Sequence, residues 1–185
     1  ILTYLKNNKI FFLLLVYTLT FFPILLNDGI YWDGWVINNL DATQLIQIFK
    51  DNGNYWYGYL FAGMLEYGDI VIISRVVTFF SYFFTTVFFY LILKKYSHGL
   101  NSYSLFFALY FLTFPVNFAR ITIMNTPYAV CLLLFFMAYF IYIKDAQNIY
   151  KVILASILLF LSLFMSSLLF FIPVLIAHIF ILYVY

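Results

Sequence analysis

The sequence predicts an all-α, polytopic transmembrane helical bundle, on three observations. Of 185 residues, 66% are hydrophobic and 9% charged, against about 25% charged in soluble domains, and a water-soluble core of this size has no room for so much apolar side chain. The apolar residues fall into runs near the ~20 residues that a helix needs to cross a ~30 Å hydrocarbon layer. The acidic residues are gathered in one place: six of the seven (Asp28, Asp33, Asp41, Asp51, Glu66, Asp69) and all three tryptophans (Trp32, Trp35, Trp56) lie in the single stretch 27–69. The net charge of +2 is small and its basic residues are scattered, so no nucleic-acid partner is expected.

In chain order, the first run is 10–26. Lys6 and Lys9 precede it, and Pro23 sits in its last turn, where a membrane helix tolerates a kink. No small-residue cleavage site follows, so the run reads as a retained helix and not a signal peptide. The second run, 70–93, is long enough to span with tilt; Arg75 lies near its start, and Lys94 and Lys95 follow it. A polar turn, SHGLNS (97–102), leads to the third run, 103–120, whose far end carries Pro115, Asn117 and Arg120. Thr126 reads as the cap and Pro127 as the first residue of a fourth helix, 127–143. Cys131 inside it reads as a small core residue. From 152 to 185 no residue carries a formal charge. As one helix that run would reach about 51 Å at ~1.5 Å per residue, so Met165, Ser166 and Ser167 are read as dividing it into 152–165 and 167–185. The total is about six spans. The chain begins at Ile1 and stops at Tyr185 inside an apolar run, so it is expected to be a fragment of a longer protein.

Lysine placement orients the set. With the N-terminus in the cytoplasm, Lys6, Lys9, Lys94, Lys95, Lys144 and Lys151 all fall on the cytoplasmic side, as the positive-inside rule requires. The acidic stretch 27–69 then becomes the first extracytoplasmic loop. Within it, Asp41 as N-cap and Gln44 three residues later mark a short amphipathic helix to Lys50, with Leu45, Ile48 and Phe49 on one face; such a helix lies along the membrane surface. A second interfacial helix, 55–65, is interrupted by Gly58 and Gly63.

The chemistry is sought in that loop. A carboxylate such as Asp28 or Asp33 can deprotonate an acceptor hydroxyl, or hold Mg²⁺ or Mn²⁺ and neutralise a phosphate leaving group. Tyr31, Trp32, Trp35, Tyr55, Trp56 and Tyr57 offer rings to stack on a sugar, although aromatic belts also anchor any membrane protein. Asp41 is better explained as a cap, Asp51 as a turn residue, and Glu66 and Asp69 as the solvated start of the second helix. Arg75 and Arg120, within apolar sequence, can grip a phosphate bidentately; for both, snorkelling to headgroups or pairing with a loop carboxylate such as Asp69 competes. His178 reads as a packed polar residue and His98 as a solvated one.

The layout resembles the N-terminal half of the C-superfamily (GT-C) polytopic glycosyltransferases. The first helix leads directly into a large outer loop with NDGIYWDGWVINNLD, followed by short interfacial helices. In that family the loop carries an acidic motif, often two carboxylates and then an aromatic. Asp33-Gly34-Trp35 corresponds to it, with Gly34 in place of the second acid. TFPVNFARITIMNTPYAV (113–130) resembles the family's second outer loop without its acid, and FMSSLLFF (164–171) resembles its fifth-to-sixth helix connection. The resemblance implies transfer of a sugar from a polyprenyl-phosphate carrier to a glycan, lipid or protein acceptor outside the cytoplasm, in a bacterial plasma (inner) membrane. It implies Asp33 as the catalytic or metal-binding carboxylate, with Asp28 supplying the second ligand of a divalent cation. Trp32, Trp35, Arg120 and Arg75 are the implied substrate contacts. The fragment alone is expected to be inactive. The competing classes are a transporter or flippase segment, which would show internal repeats and midplane polar groups, and a polysaccharide polymerase or ligase, which would show arginine-rich outer loops.

Overall fold

The structure, a computed structural model, describes residues 8–27, 29–96, 101–113, 122–145, 147–164, 168–169, 172–173 and 176. Asp28, His98, Arg120, Ser166, Ser167 and His178 lie outside them. Among the described residues the chain is all-helical. The helices are α1 (Lys9–Leu25), α2 (Gly34–Asn39), α3 (Ala42–Asp51), α4 (Tyr55–Tyr67), α5 (Ile70–Tyr96), α6 (Asn101–Thr113), α7 (Thr126–Asp145) and α8 (Ile149–Ser162). A 3-10 turn, Ile123–Asn125, leads into α7.

Helix α5 is the hub: α1, α4, α6, α7 and the 3-10 turn all pack on it. Residue pairings give the directions. Tyr17 stacks on Phe79 while Leu13 clusters with Tyr90, so α1 runs antiparallel to α5. Ala108 shares the Leu13–Tyr90 cluster and Leu112 joins Phe79 and Phe83, so α6 is antiparallel to α5 as well. Thr78 meets Thr126 near one end of α7, and Phe88 meets Phe140 toward the other, so α5 and α7 are parallel. A short connection returns α8 along α7, where the Cys131 thiol, fully buried, reaches the Leu161 carbonyl. Directions therefore alternate along the chain. Lys9, Lys94, Lys95, Lys144 and Lys151 collect at one end of the bundle, while Asp33, Asp41, Asp51, Glu66 and Asp69 belong to the segment at the other.

Two helical stretches, Ile70–Tyr96 and Ile123–Lys144, are long and apolar enough to cross a membrane; α1, α8 and Tyr103–Thr113 within α6 are apolar but shorter. Most of the expected run 167–185 lies outside the described residues. Several boundaries move. Lys94 and Lys95 belong to the last turn of α5, where their charge complements the helix C-terminus. Asn101 opens α6 instead of closing a turn. Thr126 is not a cap but the first residue of α7, with Pro127 second, because the 3-10 turn feeds straight into the helix. The Thr126 hydroxyl is used across the interface instead, 3.0 Å from Thr78 Oγ1 and 3.4 Å from the Ser74 carbonyl oxygen.

The Ser74–Thr78 end of this interface uses small hydroxyl residues, while further along Phe88 and Phe89 meet Phe140 and Phe136. Ser74, Thr78, Ser81, Thr85 and Thr86 on α5 are all buried. Thr85 and Thr86 return their hydroxyls to the carbonyls of Ser81 and Tyr82, at 2.7 and 2.8 Å. Small side chains let backbones approach, and cross-helix hydroxyl bonds hold helices where lipid supplies no hydrophobic force. On the opposite side of α5, the buried Tyr17 hydroxyl donates to the Phe79 carbonyl at 2.9 Å. That anchor is invisible in a run that reads only as apolar.

Candidate functional site

The segment expected as an outer loop folds into a small helical layer. Its core is Ile37, Leu45, Phe49, Tyr57, Phe61 and Met64, closed by Ile70 and Val71 of α5 and by Ile123. Each large side chain so buried contributes roughly 1.5–3 kcal/mol, which lifts the segment above a flexible connection. Asp41 caps α3 as its spacing predicts. Its carboxylate accepts the Gln44 N–H at 2.8 Å, and its own N–H donates to Gln44 Oε1 at 3.0 Å. Helix α4 runs straight through both glycines, and each has a different reason. A Cβ on Gly58 would stand 2.8 Å from Ile46 Cα, so glycine is what lets α4 press on α3; Gly63 has open space around it.

The remaining carboxylates divide by their partners. Asp51 accepts from Gln47 at 2.8 Å. Asp69 accepts the Val71 and Ile72 N–H groups at 2.8 and 3.2 Å and so caps α5. Glu66 falls in the last turn of α4, not at the start of the next helix. Asp33 is different. It precedes α2 without capping it, and its exposed carboxylate has no hydrogen bond or ion pair among the described residues.

Asp33 stands on the rim of a pocket of about 240 Å³ between α2 and α3. Val36, Ile37, Leu40, Leu45, Ile48 and Phe49 form the walls, Met124 reaches in from the 3-10 turn, and Asn52 is the other polar residue at its edge. Trp32, immediately before Asp33, has φ +52. The left-handed region is strained for a bulky side chain; here it leaves the Trp32 ring 65% exposed, close in sequence to the exposed Trp35 and Tyr31. The aromatic residues thus separate into two sets. Tyr31, Trp32, Trp35 and Tyr55 face outward, whereas Tyr57 is buried against Phe49 and Trp56 is tucked edge-on to Tyr57 at 4.6 Å. Burial, reinforced by the nearby Tyr128, pushes the Tyr57 hydroxyl above its ordinary range and keeps it neutral. Tyr57 and Trp56 serve packing and are withdrawn as sugar platforms.

Gly34 packs against a dry wall. A Cβ there would lie 3.2 Å from Ile30 Cγ2 and 3.5 Å from Ile123 Cδ1, in a buried position. A carboxylate at 34 would have to enter this dry wall, at a cost no partner offsets. Asp28 lies outside the described residues. Among the described residues no group of three His, Cys, Asp or Glu gathers that could hold a metal, and Asp33 is the one carboxylate among the described residues that line this pocket.

Arg75 does not snorkel. It is 3% exposed, and its guanidinium donates to the carbonyl of Gly29 across 46 positions of sequence. The Asp69 carboxylate caps α5. Arg75 thus ties the start of the NDGIYWDGW segment to the hub helix. Asn27 secures the same turn, accepting the Gly29 N–H at 2.8 Å and donating to the Tyr31 hydroxyl at 3.1 Å. Arg120 lies outside the described residues.

Comparison with protein-family models, curated proteins and solved structures finds no match to this chain. The functional reading therefore rests on the residues and their arrangement.

Proposed function

We propose that the chain is the helical module of a multi-pass membrane glycosyltransferase, working on the extracytoplasmic side with a polyprenyl-phosphate-linked sugar as donor. The observation that carries the reading is Asp33: an uncommitted carboxylate, flanked by outward-facing tryptophans, on the rim of a pocket. Asp33 acts as the general base. It takes the proton of an acceptor hydroxyl while that oxygen bonds to the anomeric carbon, and the bond from that carbon to the carrier phosphate breaks. Trp32 and Trp35 present ring faces to the sugar. Arg75 acts through position by fixing the turn that carries Asp33, and Arg120 remains the proposed contact to the carrier phosphate. No step is routed through a metal, since one carboxylate is a poor divalent-cation site; Asp28 is the residue that would join it.

Three features support the membrane setting. More than half of each long apolar window is unburied within the bundle (44% and 39% buried). Large apolar side chains such as Phe80, Phe84, Phe107, Ile157 and Phe160 face outward, which suits lipid and not water. Lysines at one end and carboxylates at the other are the pattern that the positive-inside rule would give a chain with a cytoplasmic N-terminus; about six spans in a plasma membrane belong to the same proposal. Against a transporter or flippase, the hydroxyls of Thr78, Thr85, Thr86 and Thr126 are engaged in hydrogen bonds within and between helices.

Asp33→Asn in the natural protein, assayed in native membranes for transfer of labelled sugar from polyprenyl phosphate, is expected to lower the rate about 10²–10⁴-fold, the usual weight of a general base. Membrane insertion should be unchanged. Near-normal transfer overturns the assignment.

A further inference from the structure

The pocket beside Asp33 has its own chemistry. At about 240 Å³ it is several times the ~30 Å³ share of one water molecule. It is somewhat smaller than the roughly 300–1,000 Å³ of pockets that enclose drug-sized ligands. It therefore suits one hydrocarbon chain or a single ring, not a whole lipid. Its walls are apolar, and its rim carries one formal charge, the negative Asp33. The Asn52 amide is already engaged, donating to the Ile48 carbonyl at 2.9 Å. An anionic phosphate beside Asp33 would be repelled, whereas a hydroxyl can donate to it. The donor substrate carries its negative phosphate next to its chain, so it is the wrong occupant.

We propose that this pocket binds an apolar alcohol: a hydrocarbon body held by Val36, Leu45, Ile48 and Phe49, with its hydroxyl donating to Asp33. Within the transfer reaction it is the acceptor's place, and that role, unlike the binding itself, rests on the proposed function. The site selects acceptors whose reactive hydroxyl sits at the end of a greasy segment. It keeps them apart from the phosphate of the carrier by charge.

The test uses the whole chain in nanodiscs and three photoreactive probes with the same diazirine-bearing decyl chain: the alcohol, its methyl ether and its phosphate. Crosslinked residues are read by mass spectrometry. The alcohol should label residues 45–52 and Val36 at least several-fold more than the ether, and the phosphate least. Asp33→Asn should raise phosphate labelling toward that of the alcohol, because the repulsion is gone. Ile48→Trp, at a partly exposed rim position, should fill the pocket and abolish labelling there by every probe. Gel filtration and circular dichroism of both variants check folding. Equal labelling by all three probes, preference for the phosphate, or labelling indifferent to Ile48→Trp overturns the proposal. Binding requires no turnover: if Asp33→Asn retains sugar transfer while the labelling pattern holds, the glycosyltransferase reading fails and the alcohol site stands.

Discussion

The layer of α2, α3 and α4 and the α5–α7 interface are held together by different physics. The layer resembles a small water-soluble fold. It buries Leu45, Phe49, Phe61 and Met64, caps a helix with Asp41 and Gln44, and brings two helices together at Gly58. The interface adds buried hydroxyls at one end, with Thr126 bridging to Thr78 and Ser74, and aromatic pairs Phe88–Phe140 and Phe89–Phe136 toward the other. In water, apolar burial drives assembly; in lipid it drives nothing, and close backbone approach with hydroxyl bonds takes over. In the proposed membrane setting the two regions face different solvents, and Asp33 belongs to the layer on the water side.

The sharpest way to break this division is Asp33→Asn. If function resides in the layer, transfer falls by the orders of magnitude given above while neither region changes in stability. Next comes Gly58→Ala, whose new methyl meets Ile46 backbone; overpacking of this kind costs about 1–3 kcal/mol. Thermal unfolding and proteolysis between residues 40 and 60 should both shift, with the α5–α7 interface unaffected. Gly63→Ala is the control: with open space around it, helix propensity should give a gain of up to about 1 kcal/mol. A loss there as large as at Gly58 would contradict the close-approach account.

Trp32→Gly probes the strained turn. Glycine adopts positive φ without penalty, so the layer should gain about 1 kcal/mol, measured by thermal shift, while sugar transfer weakens because the ring is gone. Loss of stability would mean that the Trp32 ring is packed, not presented. Thr126→Val has the smallest expected effect, about 0.6 kcal/mol, the average found for hydrogen bonds between membrane helices. It should be read in lipid by reversible unfolding, and it should add to Gly58→Ala without coupling, since the two act in separate regions.

Much of this organisation is written in the sequence. Apolar runs of the right length give α5 and α7, and the Asp41–Gln44 spacing gives a capped α3. The clustering of acids singles out 27–69 because local composition and short-range periodicity decide such features. The three helices of that segment, by contrast, are held by contacts with Ile70, Val71 and Ile123 from distant parts of the chain. The same dependence on distant contacts sorted the site residues. Tyr31, Trp32, Trp35, Tyr55, Trp56 and Tyr57 look alike along the chain, yet only packing buries Tyr57 against Phe49 and turns Trp32 outward. Arg75 reads along the chain only as a cation in apolar sequence, and the fold brings the Gly29 carbonyl to it. Gly34 looks like a lost carboxylate until Ile30 and Ile123 close over it. The sequence by itself determined the helices, their apolar faces and the charge at each end, because those follow from a residue and its near neighbours. Only the tertiary structure decided that Asp33 has no partner among the described residues and stands beside an apolar pocket, because commitment is a property of what residues far along the chain bring near.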